Sequence, residues 1–112
     1  MISAWKKYLH KIRNEEIRIA FSLFEKKQFK CALELGAGDG YQSAMLIDYC
    51  DKLVCTELND KRLKRLNIKG IEYKICDAEI IQSYFNDIKF DLVFSSNMFE
   101  HLPNPENALI GI

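Results

Sequence analysis

Two hydrophobic periods alternate along the chain. From about residue 3 to residue 27, apolar residues recur every three or four positions between charged ones, which predicts a helix with a break near Asn14. Four short segments rich in apolar residues predict strands, and the first of them, which stops at a glycine, predicts a buried strand. They cover residues 31–35, 52–56, 71–76 and 90–95. Helical patterns follow these strands at residues 41–49, 60–66, 78–85 and 106–110.

This order of elements predicts the fold class. Strands that alternate with helices form a parallel sheet with right-handed crossovers. We therefore expect an α/β fold, a doubly wound parallel sheet of about four strands preceded by an N-terminal helix. Ligands of such sheets bind at the carboxyl ends of the strands. The residues that directly follow each strand are therefore the first candidates for a site.

Composition narrows the class of partner. The 112 residues are 48% hydrophobic, which is enough for one modest core and no second domain. The 16 basic residues balance the 16 acidic residues, so no net field steers the chain onto nucleic acid or an acidic membrane, and we expect neither partner. No apolar run approaches the roughly 20 residues that span a bilayer, and no signal-peptide core follows the N-terminus. The expected location is the cytoplasm.

The cysteines point to packing and not to chemistry. None of the four forms a C-x-x-C pair, which argues against a zinc ribbon or a thioredoxin-type site. Cys31, Cys55 and Cys76 lie in apolar runs, where a free cysteine behaves as a small hydrophobic residue. We expect reduced thiols in the core.

A glycine-rich loop follows the first predicted strand. It reads Glu34-Leu35-Gly36-Ala37-Gly38-Asp39-Gly40. Glycines let the backbone turn tightly and approach a ligand closely. A dinucleotide fingerprint would need a further glycine where Tyr41 stands, and the Lys and Ser/Thr of a phosphate-binding P-loop are absent. The carboxylates of Glu34 and Asp39 would repel a pyrophosphate but attract a ligand that carries an ammonium and a sulfonium.

Two further acids follow the second and third strands. Glu57, before Leu58, can accept hydrogen bonds from both hydroxyls of a ribose. Asp77 can accept from an adenine amino group, and Ala78 offers a backbone N–H to a ring nitrogen. Each acid alone could be a helix cap. Their joint position at the ends of consecutive strands favours a nucleoside site.

Four motifs in this order resemble class I S-adenosylmethionine-dependent methyltransferases, from residue 31 to the end of the chain. The glycine loop is similar to that family's E/D-x-G-x-G-x-G motif, Glu57 to its ribose-binding acid, and Cys76-Asp77-Ala78 to its adenine-binding motif. Residues 90–95, running on to Glu100-His101-Leu102, resemble the fourth-strand motif of its small-molecule branch. The resemblance implies a Rossmann-like fold, with a helical segment at residues 1–30 and a partial cofactor domain at residues 31–112.

The resemblance also implies the cofactor, S-adenosylmethionine, and the residues that hold it. Backbone near Gly36 and Gly38 would face the methionine part, which Glu34 would help to orient, and the activated methyl group would point toward the loop after Ser95. Glu57 and Asp77 would hold the adenosine. The full set of implied cofactor-binding residues is Glu34, Gly36, Ala37, Gly38, Asp39, Gly40, Glu57, Leu58, Asp77, Ala78 and Ser95.

The chain departs from the family in its number of strands. The family's sheet has seven, whereas four are predicted here, so we expect a truncated domain or a fragment that lacks much of the acceptor pocket. A parallel sheet cut after its fourth strand has an exposed edge, which a second copy or a partner chain could cover. Activity of this chain alone is therefore a separate hypothesis.

The segment after the fourth strand bears on the methyl acceptor. It lacks the D/N-P-P-Y run that marks enzymes acting on amino groups of DNA bases or glutamine, which favours a small-molecule acceptor. His101 is a candidate general base, because histidine titrates near neutral pH, although it could equally pack against the following helix. An E-x-x-E-H run binds a metal in small-RNA 2′-O-methyltransferases, but Asn97 stands at its first position here, so we predict no metal site.

Three functions compete on these patterns. The leading hypothesis is an enzyme, or part of one, that methylates a small molecule. The second is a non-catalytic cofactor-binding module or split subunit that needs a partner chain. The third is an NAD-dependent oxidoreductase, against which Tyr41 argues. The first helix, with Trp5, Tyr8 and Phe21, is expected either to pack in the core or to cover the cofactor or acceptor.

Overall fold

The computed structural model describes residues 3–61, 63–85, 87–96, 98 and 102–111. Within these ranges the order of elements is α1 (Ala4–Ser22), β1 (Phe29–Leu35), α2 (Tyr41–Leu46), β2 (Cys50–Glu57), β3 (Ile71–Ile75), β4 (Leu92–Ser95) and α3 (Pro105–Gly111). Two 3₁₀ helices follow α2 and β3, and they cover Ile47–Tyr49 and Ala78–Ser83.

The four strands form one parallel sheet in the order β3-β2-β1-β4. One edge of β1 pairs with β2 from Phe29 beside Cys50 to Leu35 beside Thr56. Its other edge pairs with β4, where Leu35 lies beside Ser95. The chain thus winds outward from β1 in two directions, and ligands of open α/β sheets bind at such a switch point. The predicted fold class and the four parallel strands are confirmed.

Helices cover both faces of this sheet. One face packs against α1 and α2 through Ile17, Phe21 and Leu46. The other face packs against the second 3₁₀ helix and α3 through Ile81 and Ala108. All five side chains are at most 4% exposed. Burial of each large one contributes about 1.5–3 kcal/mol, so both layers stabilise the strand ends that carry the site.

α1 is shorter and more regular than predicted. It runs through Asn14 without a break. It ends at Ser22 and not near Lys27. The Ser22 hydroxyl donates to the carbonyl of Ile19, and the N–H of Leu23 donates to the carbonyls of Ala20 and Phe21 instead. Side-chain bonds of this kind compete with a continued helix.

The aromatic residues of α1 have different surroundings. Phe21 is buried in the core, as one of the two expectations had it. Trp5 and Tyr8 are 69% and 58% exposed, so they neither pack in the core nor line the cavity described below. No described helix is long and apolar enough to cross a membrane.

The predicted helix at residues 60–66 is wrong. None of its described residues, 60–61 and 63–66, is helical. The backbone N–H of Lys64 donates to the carbonyl of Gly38 at 2.9 Å, and that of Leu66 donates to the hydroxyl of Tyr73 at 2.7 Å. Backbone donors that a helix would use internally are therefore bonded to other parts of the chain.

The other boundaries shift by a few residues. β4 begins at Leu92, two residues later than predicted, because the carboxylate of Asp91 accepts hydrogen bonds from the N–H groups of Lys30 and Cys31, each at 2.9 Å. The predicted helical turns at residues 78–85 form a 3₁₀ helix that ends at Ser83. The four cysteines are free, and Cys31 alone among them is only partly buried, so the expectation of core thiols is confirmed.

Candidate functional site

A cavity of about 440 Å³ opens at the carboxyl ends of β1, β2 and β3. This volume falls within the roughly 300–1,000 Å³ that is typical of small-molecule sites. Its wall comes from residues at or just after these strand ends and from the segment after β4. The wall residues are Gly36, Thr56, Glu57, Leu58, Asn59, Cys76, Asp77, Ala78, Met98 and Leu102.

Five of the predicted cofactor-binding residues lie in this wall, and six do not. The five are Gly36, Glu57, Leu58, Asp77 and Ala78. The six are Glu34, Ala37, Gly38, Asp39, Gly40 and Ser95. Ser95 instead lines a separate depression of about 220 Å³ beside α1. The binding role of all eleven stays a prediction, but the structure brings the first five together.

The sequence analysis missed five wall residues: Thr56, Asn59, Cys76, Met98 and Leu102. Thr56, Asn59 and Cys76 adjoin the two motif acids, so their positions in sequence carried a usable signal. Met98 and Leu102 lie in the segment after β4 that the sequence analysis compared with a family motif, but neither was assigned to the cofactor site.

Glycine conformations shape the side of the cavity formed by the loop after β1. Gly36, Gly38 and Gly40 have φ values of 73°, 55° and 81°, in the left-handed region that favours glycine. A Cβ on Gly36 would lie 3.1 Å from Cγ of Met98, so a side chain there would press into the wall. A Cβ on Gly38 would have nothing within 4 Å, which leaves open space beside that backbone. The loop can therefore accept a ligand against its main chain.

Glu57 joins the glycine loop to the end of β2. Its Oε2 accepts a hydrogen bond from the N–H of Gly38 at 3.1 Å, and its Oε1 accepts one from the N–H of Leu58 at 3.1 Å. An ionised carboxylate has about four acceptor positions. Glu57 can therefore hold the loop and still accept hydrogen bonds from two hydroxyls of a ligand.

Asp77 and Ala78 form the neighbouring part of the wall, after β3. Asp77 caps the 3₁₀ helix, where its Oδ1 accepts a hydrogen bond from the N–H of Glu79 at 2.9 Å. The remaining acceptor capacity of this carboxylate suits an amino group. This end of the cavity thus presents two carboxylates that can each accept further hydrogen bonds from one ligand.

Glu34 has the surroundings of a core residue. It is 2% exposed, accepts a hydrogen bond from the Ser43 hydroxyl and lies 3.4 Å from Sγ of Cys55. Burial raises the pKa of Glu34 to about 7, and the nearby carboxylates of Glu57 and Asp39 act in the same direction. Its direct contacts are therefore with α2 and β2, and its part in orienting a cofactor stays a prediction.

The candidate general base belongs to the segment after β4, where the sequence predicts no metal site. Asn97, Glu100 and His101 lie outside the described residues. Among the residues that are described, no three His, Cys, Asp or Glu side chains are grouped so that they could hold a metal ion.

Comparison with known proteins decides the family. The methyltransferase domain family matches residues 33–112. The chain belongs to the class I S-adenosylmethionine-dependent methyltransferases. The predicted family is thereby confirmed, and S-adenosylmethionine is the cofactor of this family. No curated protein is significantly similar to this methyltransferase domain in sequence.

Solved structures share the fold of this methyltransferase domain. A provisionally assigned methyltransferase of Bacillus halodurans has a TM-score of 0.70 and 23% identity, over 86% of this chain and 42% of its own. The N-terminal domain of EvdMO1, solved with S-adenosylhomocysteine bound, has a TM-score of 0.66 and 21% identity, over 89% and 43%. The Haloferax volcanii complex of the Trm112 methyltransferase activator with a provisionally assigned methyltransferase has a TM-score of 0.67 and 14% identity, over 100% of this chain and 55% of its own. The methyltransferase domain spans less than two thirds of each of these chains.

Proposed function

We propose that this methyltransferase domain binds S-adenosylmethionine in the 440 Å³ cavity and takes part in methyl transfer to a small molecule. The observation that carries the proposal is the position of Glu57 and Asp77 in the wall of one cavity. Their strands are neighbours in the sheet, and Glu57 lies beside Ile75 in the register. Two carboxylates can therefore bind one ligand at two points.

Four wall residues, together with Gly38 of the glycine loop, have a defined part in this proposal. Glu57 accepts hydrogen bonds from the ribose hydroxyls, Asp77 accepts one from the adenine amino group, and the N–H of Ala78 donates to a ring nitrogen. The main chain of Gly36 and Gly38 packs against the methionine part. When bound, S-adenosylmethionine supplies a methyl group on a sulfonium, which is a good leaving group. The chain itself contributes alignment and exclusion of water.

The class of acceptor rests on the segment after β4. Its resemblance to the small-molecule branch of the family and its lack of a D/N-P-P-Y run support a small-molecule acceptor. His101, in that segment, is the proposed general base for an acceptor that must lose a proton. This part of the proposal is separate from cofactor binding and needs the acceptor itself for a test.

Calorimetric titration of the purified chain with S-adenosylhomocysteine tests the cofactor site. We expect binding, no binding of NAD, and a Kd that rises about 10- to 100-fold in Glu57→Gln, because hydrogen bonds to a charged group contribute about 1.5–3 kcal/mol. Glu72→Gln is the matched control, since Glu72 is an exposed acid on β3 that pairs with Lys52 at 3.2 Å. Its Kd should equal that of the wild type.

Three results would count against the proposal. A folded chain that fails to bind S-adenosylhomocysteine would exclude a functional cofactor site in these residues alone. An equal loss in Glu57→Gln and Glu72→Gln would show that the effect is not local to the cavity. Preferential binding of NAD would favour the oxidoreductase alternative.

A further inference from the structure

α1 contacts the glycine loop through charged and aromatic side chains. Nζ of Lys6 lies 3.6 Å from Oδ2 of Asp39, and Nε2 of His10 lies 4.0 Å from the same oxygen. The ring of His10 stacks on that of Tyr41, with centroids 3.8 Å apart and 21° between the planes. Asp39 and Tyr41 flank Gly40, so α1 holds the loop on both sides of its last glycine.

The stack of His10 on Tyr41 is the shielded part of these contacts, whereas the side chains of Lys6 and Asp39 are 51% and 41% exposed. The His10 side chain is only 19% exposed. The N–H of Tyr41 donates to Oδ1 of Asp39 at 3.3 Å, which joins the two residues that His10 contacts. Arg13, one turn further along α1, also interacts with Tyr41. One turn of α1 therefore meets the start of α2 and the end of the loop together.

The loop is the part of the cavity that most needs such support. Its three glycines with positive φ have wide conformational freedom when unrestrained. Ordering such a loop on ligand binding costs backbone conformational entropy. A loop that is already fixed avoids that cost and binds more tightly. The family match begins at residue 33, so the matched segment does not include the helix that provides these contacts.

We propose that His10 is a positioning residue of the cofactor site. It holds Asp39 and Tyr41 from α1 and thereby fixes the glycine loop in the conformation that receives the cofactor. His10 is not in the wall of the cavity, so it acts through the loop and not by touching the ligand. The cofactor itself rests on the proposed function, whereas the order of the loop does not.

Hydrogen exchange of the ligand-free chain tests the loop directly. The N–H of Ala37 donates to the carbonyl of Thr56 at 2.9 Å, and the N–H of Gly40 donates to the carbonyl of Ala37 at 3.1 Å. Exchange of the amide hydrogens of residues 36–41 therefore reports opening of the loop. We expect several-fold faster exchange in His10→Ala. His10→Phe, which keeps a ring on Tyr41, should restore slow exchange in part. Tyr8→Ala removes an exposed aromatic ring from the same helix and should leave exchange unchanged.

Calorimetric titration of the same variants with S-adenosylhomocysteine tests the consequence. We expect the Kd of His10→Ala to rise about 3- to 10-fold, which is the effect of losing one aromatic pair. His10→Phe should recover part of this loss, and Tyr8→Ala should bind as the wild type does. The unfolding free energy of each variant, measured with urea, separates a loop effect from general destabilisation.

The outcomes separate this inference from the proposed function. Unchanged exchange in His10→Ala, or an equal change in Tyr8→Ala, would overturn the role of His10. Faster exchange with an unchanged Kd would also overturn it, because a fixed loop would then not matter for binding. Failure of the wild type to bind S-adenosylhomocysteine would overturn the proposed function and the binding part of this inference together, while the exchange result would still decide whether His10 orders the loop.

Discussion

Glu34→Gln should remove much of the pH dependence of folding of this methyltransferase domain. Glu34 is a buried carboxyl group that accepts a hydrogen bond from Ser43 and lies beside Cys55. A glutamine has nearly the same shape, and its side-chain oxygen can still accept from Ser43. The substitution therefore removes one ionisable group and leaves the packing of β1 against α2 nearly unchanged.

The magnitude follows from the two pKa values. Below pH 4.5 the Glu34 carboxyl is protonated in both the folded and the unfolded chain. As the pH rises, the unfolded chain releases this proton near pH 4.5, whereas the folded chain keeps it until about pH 7. The contribution of Glu34 to stability is therefore highest below pH 4.5 and is lost as the pH rises through this window. The difference of about 2.5 between the pKa values corresponds to about 3 kcal/mol.

Urea unfolding at a series of pH values between 4 and 8 would measure this effect. We expect the wild type to lose about 3 kcal/mol of unfolding free energy relative to Glu34→Gln across that range. Glu72→Gln, an exposed acid on β3, should follow the wild type. Parallel pH profiles for the wild type and Glu34→Gln would refute the reasoning, since they would mean that the buried carboxyl titrates as it does in the unfolded chain.

Three further substitutions test the packing, the strand ends and the loop. Leu46→Ala should lower the unfolding free energy by about 2–5 kcal/mol, because Leu46 is 1% exposed. The control Leu109→Ala, at a position that is 63% exposed, should change the unfolding free energy by less than about 0.5 kcal/mol. The ion pair with Lys26 lowers the pKa of Asp91, so Asp91→Asn should cost about 1–3 kcal/mol at neutral pH, and the wild-type advantage should shrink as the pH falls below 3.8. Gly38→Ala should cost about 1 kcal/mol of stability and weaken S-adenosylhomocysteine binding in calorimetry, while Gly70→Ala, which also has positive φ, should lower stability only.

Each of these three predictions can be contradicted by a specific result. A small loss in Leu46→Ala would mean that the core between α2 and the sheet is loosely packed. An Asp91→Asn variant as stable as the wild type would exclude Asp91 as the anchor of the first residues of β1. Equal affinity of Gly38→Ala and Gly70→Ala for S-adenosylhomocysteine would show that the ligand does not approach the main chain of the loop.

The strands could be predicted from sequence because this sheet is covered on both faces. The central parts of β1 and β2 are continuous buried runs, which stand out against helical periodicity, whereas the edge strand β3 alternates apolar residues with Glu72 and Lys74. The segment at residues 60–66 misled the same reasoning, because the partners of its N–H groups are the carbonyl of Gly38 and the hydroxyl of Tyr73, far away in sequence. Local pattern contains no information on such partners.

The site was predictable to the extent that it depends on strand ends. Glu57 ends β2 and Asp77 follows the end of the neighbouring parallel strand β3, so their meeting at one cavity follows from topology. The direction of the Glu34 side chain could also be predicted from the sequence. Residues two apart in a strand point to the same face, so Glu34 points to the same face of β1 as the apolar Ala32. The stack of His10 on Tyr41 could not be predicted from the sequence, because it depends on the angle at which α1 crosses the sheet.

The bonds of the glycine loop bear on how this domain can be engineered. The carbonyl of Gly38 accepts from Lys64, and its N–H donates to Glu57, so both ends of the stretch 57–64 are fastened to one residue of the loop. Tolerance of an insertion depends on the hydrogen bonding of the backbone that it displaces. Randomised libraries in this connector should therefore vary residues 60–61, which are exposed and do not line the cavity, at constant length. Peptide tags or grafted epitopes belong elsewhere on the surface.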